Sequence, residues 1–224
     1  MADYIQRLLD SKLKRTHRAE DVQDEWRTPD LEFLGLQQMF CPAKSFSIDL
    51  FTDGTINSKA PLFFTAKENA IEQDWGKYCK EQGVAPIGFA NPPFSKAFKG
   101  KLADGTTCTG LNSIMKKAYM EMKLGFHSVF FVPSNIEADW FPHRLSEYPA
   151  SAVYKLVGGR VSFDVPEWYK QDPEGGQPSS SRGGMAIVIF DPSYKGRPID
   201  DIVPRNDLRE MGQLILDEQN EEAA

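Results

Sequence analysis

The tetrapeptide Asn91-Pro92-Pro93-Phe94 is the part of this sequence best suited to chemistry. It offers two oxygen acceptors, the Asn91 side-chain oxygen and the Pro92 carbonyl. Tandem prolines fix that carbonyl, because each ring locks φ and restricts the residue before it. Two fixed acceptors aimed at one N–H pair suit an amine whose lone pair is delocalised into a ring or carbonyl. Hydrogen bonds draw such an amine toward a tetrahedral, nucleophilic geometry, and preorganised dipoles do this without a metal. An aromatic ring at the fourth place, here Phe94, can stack on a base drawn out of a helix. Taken alone, the tetrapeptide also fits a plain Pro-Pro turn closing a strand.

The elements around it favour a site. Ile87-Gly88-Phe89-Ala90 reads as a short buried strand that must stop at the prolines. Phe46-Ser47-Ile48-Asp49-Leu50 reads as an earlier strand with an acid near its end, and Leu62-Phe63-Phe64-Thr65 as another. Thr28 and Pro29 suit the cap and first position of a helix from Asp30 to Met39. Helices are expected at 111–124, ended by Gly125, and at 138–147, with mixed loop and helix at 67–78. Strands are expected at His127–Val132, Val153–Val157 and Arg160–Phe163, with Met185–Phe190 as the last. Strands alternating with helices, then two strands in succession, imply an α/β fold: one mainly parallel sheet with an antiparallel final strand. Ligands bind such sheets at the carboxyl ends of the strands, where Asp49 and Asn91 fall. Residues 1–24 read as an arm with a leader helix, 25–206 as the main domain, 171–184 as a flexible loop, and 207–224 as a polar tail helix.

Composition narrows the class. A chain of 224 residues with 41% apolar and 26% charged residues holds one sizeable core. No apolar run approaches the roughly 18–20 residues of a membrane span, and Met1-Ala2-Asp3-Tyr4 has no signal-peptide layout. A cytoplasmic protein, in a bacterial host cell if phage-encoded, is expected. Cys41, Cys79 and Cys108 show neither disulfide nor zinc spacing, and His17, His127 and His143 show no metal spacing. No metal site is expected. The net charge of −6 argues against polyanion binding over the whole surface. Acid gathers near the end (Asp217, Glu218, Glu221, Glu222), whereas Lys12, Lys14, Arg15 and Arg18, then Lys96, Lys99 and Lys101, then Lys116 and Lys117 form basic clusters. A local basic face binds nucleic acid on an acidic protein; each cluster also fits an ordinary solvated surface.

Seven segments in order resemble the phage-type DNA N6-adenine methyltransferases. They are Trp26-Arg27-Thr28-Pro29, Phe46-Ser47-Ile48-Asp49, Phe63-Phe64-Thr65, Gln73-Asp74-Trp75, Asn91-Pro92-Pro93-Phe94-Ser95, Val132-Pro133-Ser134 with Asp139-Trp140-Phe141, and Gly158-Gly159-Arg160-Val161-Ser162-Phe163. The resemblance covers roughly residues 24–190. It implies a single-domain, Rossmann-like, seven-stranded methyltransferase fold, S-adenosyl-L-methionine as methyl donor, and double-stranded DNA as partner of a monomer or weak dimer. Trp26, Thr28 and Pro29 would touch the cofactor, with Thr28 and Pro29 at its methionine moiety. Asp49 would lie near its amino acid or ribose, and Asp74 would accept from its adenine amine. Asn91, Pro92, Pro93 and Phe94 would form the catalytic loop, with Asn91 also beside the cofactor. Phe94, Ser95, Lys96, Gly159 and Arg160 would face the substrate. The chain departs from the wider superfamily in lacking a glycine-rich loop after the first strand, and it has Phe94 where Tyr is commoner.

Alternatives stand beside these assignments. Asp49 also suits a helix cap and Asp74 a turn acid. Trp26 and Trp75 also suit packing. Cytosine N4 and RNA adenine are alternative acceptors, a protein glutamine amide is another, and a binding protein that keeps the fold without turnover is the alternative from a different class.

Overall fold

The computed structural model describes residues 5–6, 10, 26–54, 57–94, 99–101, 105, 107–164, 179–180 and 183–222. The expected arm, 1–24, therefore lies outside the described residues apart from Ile5, Gln6 and Asp10. So does the 171–184 segment apart from 179–180 and 183–184.

Apolar runs flanked by prolines and glycines become the sheet strands. In chain order the sheet strands are β1 (Ile48–Asp49), β2 (Leu62–Phe63), β3 (Ile87–Ala90), β6 (His127–Pro133), β7 (Ala152–Val157), β10 (Met185–Phe190) and β11 (Ile199–Pro204). They form one seven-stranded sheet in the order β11-β7-β10-β6-β3-β1-β2. Two small antiparallel pairs lie outside it: β4 (Lys99–Lys101) with β5 (Thr107–Thr109), and β8 (Ser162–Phe163) with β9 (Ser179–Ser180). β10 runs antiparallel to both β6 and β7, and the other sheet pairings are parallel. The antiparallel strand is thus the one expected, but it is not the last. β11 follows it and pairs in parallel with β7 at the sheet edge. Its consecutive exposed residues Asp200, Asp201 and Ile202 break the apolar–polar alternation that marks a strand in sequence.

Both faces of the sheet are covered, as a mainly parallel sheet requires. One face carries α2 (Trp75–Glu81) and α3 (Gly110–Lys123), and packs Trp75, Ile114, Met115, Phe126 and Phe130. The opposite face carries α1 (Asp30–Phe40) and α4 (Arg205–Glu222), and packs Phe33, Leu36, Phe89, Phe131 and Leu208. Gly88 in β3 leaves room for two neighbours: a Cβ there would stand 2.8 Å from the Phe126 ring and 3.2 Å from Ile48.

Three expectations need correction. The helix expected at 138–147 is a run of turns, because Pro142 removes an N–H and disfavours helical backbone at Phe141. Phe141 is buried there all the same. Helix α1 starts at Asp30 with Pro29 as its cap residue, and no side chain caps it. Finally, α4 starts at Arg205 and packs along α1. At the crossing, a Cβ on Gly35 would sit 2.0 Å from the Leu208 carbonyl oxygen, and a Cβ on Gly212 would sit 2.0 Å from that of Leu31. Two glycines therefore bring the helices into backbone contact, and Leu208 is fully buried. The inner face of this polar helix carries Leu208 and Gly212, both buried.

Candidate active site

The strand order reverses between β1 and β3. From β1 the chain moves outward to β2; from β3 it moves the other way to β6. Such a switch point opens a crevice beyond the carboxyl ends of the two strands. Asp49 ends β1 and pairs in register with Phe89 of β3, two residues before Asn91. The acid and the amide therefore terminate neighbouring strands.

Asp49 is 3% exposed. Its carboxylate accepts from the backbone N–H of Lys59 at 3.0 Å and of Phe51 at 3.3 Å. Burial outweighs those bonds and lifts its pKa to about 7. Neither Lys59 nor Phe51 stands in a helix, so this buried acid caps no helix.

Asn91 follows the last residue of β3. Its Nδ2 donates to the Trp26 carbonyl at 2.9 Å. Its Oδ1 is buried and has no hydrogen-bond partner among the described residues. One end of the amide is anchored, so the other is aimed and available as an acceptor. Pro92 and Pro93 are buried and Phe94 is half-buried. Phe94 packs against both core clusters, at the end of the sheet where they meet. Ser95 and Lys96 lie outside the described residues.

The segment 26–29 is drawn over Asn91 by a second set of contacts. Arg27 and Asp164 exchange both backbone hydrogen bonds at 3.0 Å, and Trp26 stacks on Phe163 with ring centroids 6.1 Å apart. Trp26 Nε1 and Thr28 Oγ1 are both buried without a partner among the described residues. The Thr28 hydroxyl, expected to cap α1, is therefore unspent. The structure thus brings Trp26, Thr28, Pro29, Asp49 and Asn91 to one end of the sheet.

Asp74 is placed differently. It is exposed, and its Oδ1 accepts from the Lys77 backbone N–H at 2.9 Å as the N-cap of α2. Asp74 is thus a helix cap, where a turn acid was the alternative reading for it. Gly158, Gly159 and Arg160 are exposed just beyond the carboxyl end of β7, two strands removed from β6 and three from β3. Both glycines have positive φ, 87° and 135°, which explains why glycine stands there. The Arg160 carbonyl accepts from Arg205 Nη1 at 2.7 Å. Arg205 in turn donates to Glu32 Oε1 from Nε at 3.0 Å and Nη2 at 2.7 Å, and Arg209 Nη1 reaches both oxygens of the same carboxylate at 2.9 and 3.1 Å. Glu32 is wholly buried. This cluster was not legible in the sequence, since Glu32 and Arg205 are 173 residues apart.

A cavity of about 230 Å³ lies elsewhere, lined by Phe141, Leu145, Val153, Lys155, Ile199 and Asp200 among others. None of the expected site residues lines it. Among the described residues no group of three or more His, Cys, Asp or Glu stands close enough to hold a metal ion, and no helix is long and apolar enough to cross a membrane.

A family model described as "DNA N-6-adenine-methyltransferase (Dam)" matches residues 15–215. The chain is also similar to a curated protein of Escherichia coli (strain K12) named "Putative methyltransferase YfdM". The two are 41% identical over 92 residues, which is 41% of this chain and 93% of the relative. No solved structure gives a significant match.

Proposed function

Because the chain belongs to the DNA N-6-adenine-methyltransferase (Dam) family, we propose that it transfers a methyl group from S-adenosylmethionine to the N6 amine of adenine in double-stranded DNA. The observation that carries this reading is the half-anchored amide of Asn91. Its Nδ2 is spent on Trp26, and its buried Oδ1 waits for a donor. A buried acceptor without a donor is costly, and the amine of a bound base removes that cost.

S-adenosylmethionine, when bound, supplies a methyl group activated on a sulfonium centre. The residues present fit it. The unspent Thr28 hydroxyl and Trp26 indole N–H offer buried polar contacts. Asp49, buried and poised near neutrality, is stabilised as a carboxylate by the cofactor's ammonium or ribose hydroxyls. The location at a strand-order reversal is where a Rossmann-like sheet takes such ligands.

In the proposed reaction a target adenine leaves the duplex and stacks on Phe94. Asn91 Oδ1 and the Pro92 carbonyl accept its two amine hydrogens and turn the nitrogen lone pair toward the methyl group. The nitrogen would take the methyl carbon as the bond from that carbon to the donor's sulfur breaks, the sulfur keeping the electron pair and leaving as a neutral thioether, and the methylated nitrogen would then lose one proton to solvent. The chain's contribution is orientation and fixed dipoles. Arg160, beside two glycines, approaches phosphate or a base edge. A phage-type origin, a cytoplasmic site of action and a monomeric or weakly dimeric state go with this reading.

The test is incubation with methyl-labelled cofactor and, in parallel reactions, a random-sequence DNA duplex, RNA and protein, then enzymatic digestion and analysis of the labelled product. The expected product is N6-methyldeoxyadenosine. Label in N4-methyldeoxycytidine, in RNA alone, or in protein would overturn the assignment.

A further inference from the structure

We infer that Asn69 is the side chain that reads the adenine ring of the methyl donor, a role the sequence suggested for Asp74. The inference rests on the cofactor reading above.

Asn69 follows β2, and its backbone N–H donates to the Thr65 carbonyl at 3.0 Å. It is 2% exposed. Both polar atoms of its side chain, Nδ2 and Oδ1, are buried and have no hydrogen-bond partner among the described residues. It precedes a short 3-10 turn (Ala70–Glu72) but does not cap it with its side chain. Its φ is +56°, a left-handed backbone that side chains other than Gly, Asn and Asp rarely adopt. A buried amide with neither polar atom satisfied is a costly arrangement that folding alone does not reward.

Chemistry and position select the ligand. An amide presents a donor and an acceptor side by side, and adenine presents the complementary pair, its exocyclic amine and a ring nitrogen. Asp74 supplies acceptors only, is exposed, and is engaged at the start of α2. β2 and β3 flank β1 on opposite sides, so their ends lie ~10 Å apart at the usual strand spacing. Asp49 ends β1, Asn91 follows β3, and Asn69 lies in the segment that leaves β2 for the 3-10 turn, so the three residues go with neighbouring strands in the order β2, β1, β3. That order matches the donor molecule: purine at one end, ribose and amino acid between, reacting methyl group at Asn91. The target base is the other adenine in the reaction, and its place is at Phe94, across Asp49 from Asn69. Ala70 and Ile71, next to Asn69, belong to a core cluster against which Phe94 also packs, so the segment that holds Asn69 and the catalytic loop rest on the same body of core.

The test uses the full chain and calorimetry without DNA, which excludes the target base. The ligands are S-adenosylhomocysteine and S-inosylhomocysteine, which differ only in the purine's amine edge. Wild type is expected to prefer the adenine ligand by tenfold or more. Asn69→Gly, which relieves the positive φ while deleting the amide, is expected to bind S-adenosylhomocysteine at least tenfold more weakly and to lose the preference. Asn69→Asp keeps the tolerated backbone and one acceptor, and should retain part of it. Unchanged affinity and preference in Asn69→Gly would overturn the inference while leaving the cofactor reading intact. No binding of either ligand by folded wild type would instead sink the cofactor reading itself.

Discussion

The side-chain amide of Asn91 donates to the main-chain carbonyl of Trp26 at 2.9 Å, across 65 residues of chain. One hydrogen bond thus ties the proposed catalytic amide to the segment that covers it. That segment is itself held by the Trp26–Phe163 stack and the Arg27–Asp164 bridge.

Loosening this cover is expected to slow the reaction more than it destabilises the fold. Trp26 is only half-buried, so Trp26→Leu removes the stack on Phe163 without emptying the core. A misplacement of about 1 Å at a reacting group costs on the order of 10²-fold. We expect kcat to fall by tenfold or more while the thermal midpoint moves by only a few degrees. Steady-state kinetics beside a melting curve checks this; equal kcat would show that the Trp26 ring does not position Asn91.

Asp49 predicts a pH dependence. Burial raises its folded pKa to about 7, above the unfolded value, so the folded state holds the proton over a range where the unfolded chain has lost it. Stability of the ligand-free protein should therefore decline as pH rises from about 4 to 7 and level off above. Cofactor affinity should change in the opposite sense, rising through pH 7 as the carboxylate forms and gains its partner. Asp49→Asn should flatten both profiles. Denaturant unfolding and calorimetry at pH 5, 7 and 8.5 measure them, and an unaltered affinity profile in Asp49→Asn would remove Asp49 from the site.

Arg205 links stability to the Gly159-Arg160 loop. Arg205→Ala leaves buried Glu32 with Arg209 alone and frees the Arg160 carbonyl. Breaking a buried ion pair by removing one partner costs about 3–5 kcal/mol; with Arg209 remaining, the low end is expected. If the loop touches DNA, the KM for DNA should rise while S-adenosylhomocysteine affinity holds. A stability loss with unchanged KM for DNA would confine the cluster to folding.

Legibility differed by element for physical reasons. The Asn91 tetrapeptide and the strand before it were legible because the signal is local: apolar residues, then two prolines that must end a ladder. Met185–Phe190 was legible as an unbroken apolar run, and its antiparallel direction followed from strand succession. That a further strand follows it did not, because β11 hides behind Asp200 and Asp201. The helix expected at 138–147 overlooks Pro142, whose ring disfavours helical backbone at the residue before it. Asn69, Glu32 and the Gly35–Gly212 crossing carry no local pattern at all. A lone asparagine, a helix acid and two isolated glycines acquire meaning only from partners distant in the chain, or from the lack of one in a buried place.

The crossing of α1 and α4 gives a purely structural prediction. Gly35→Ala forces a Cβ toward the Leu208 carbonyl, where only 2.0 Å is available, so the helices must separate. Overpacking of this kind costs about 1–3 kcal/mol. Urea unfolding should show a lower midpoint with an unchanged slope, and a midpoint equal to wild type would show that the two helices shift freely.

The most direct trial of the account is single-turnover methylation of duplex DNA by Asn91→Ala, with S-adenosylhomocysteine binding measured on the same preparation. Loss of one preorganised hydrogen-bonding group at a reacting centre costs about 10²–10³ in rate. We predict a fall of at least that size with ligand affinity within about threefold of wild type. Methylation at the wild-type rate by folded Asn91→Ala would contradict the account, because the oxygen assigned to hold the amine would then be dispensable.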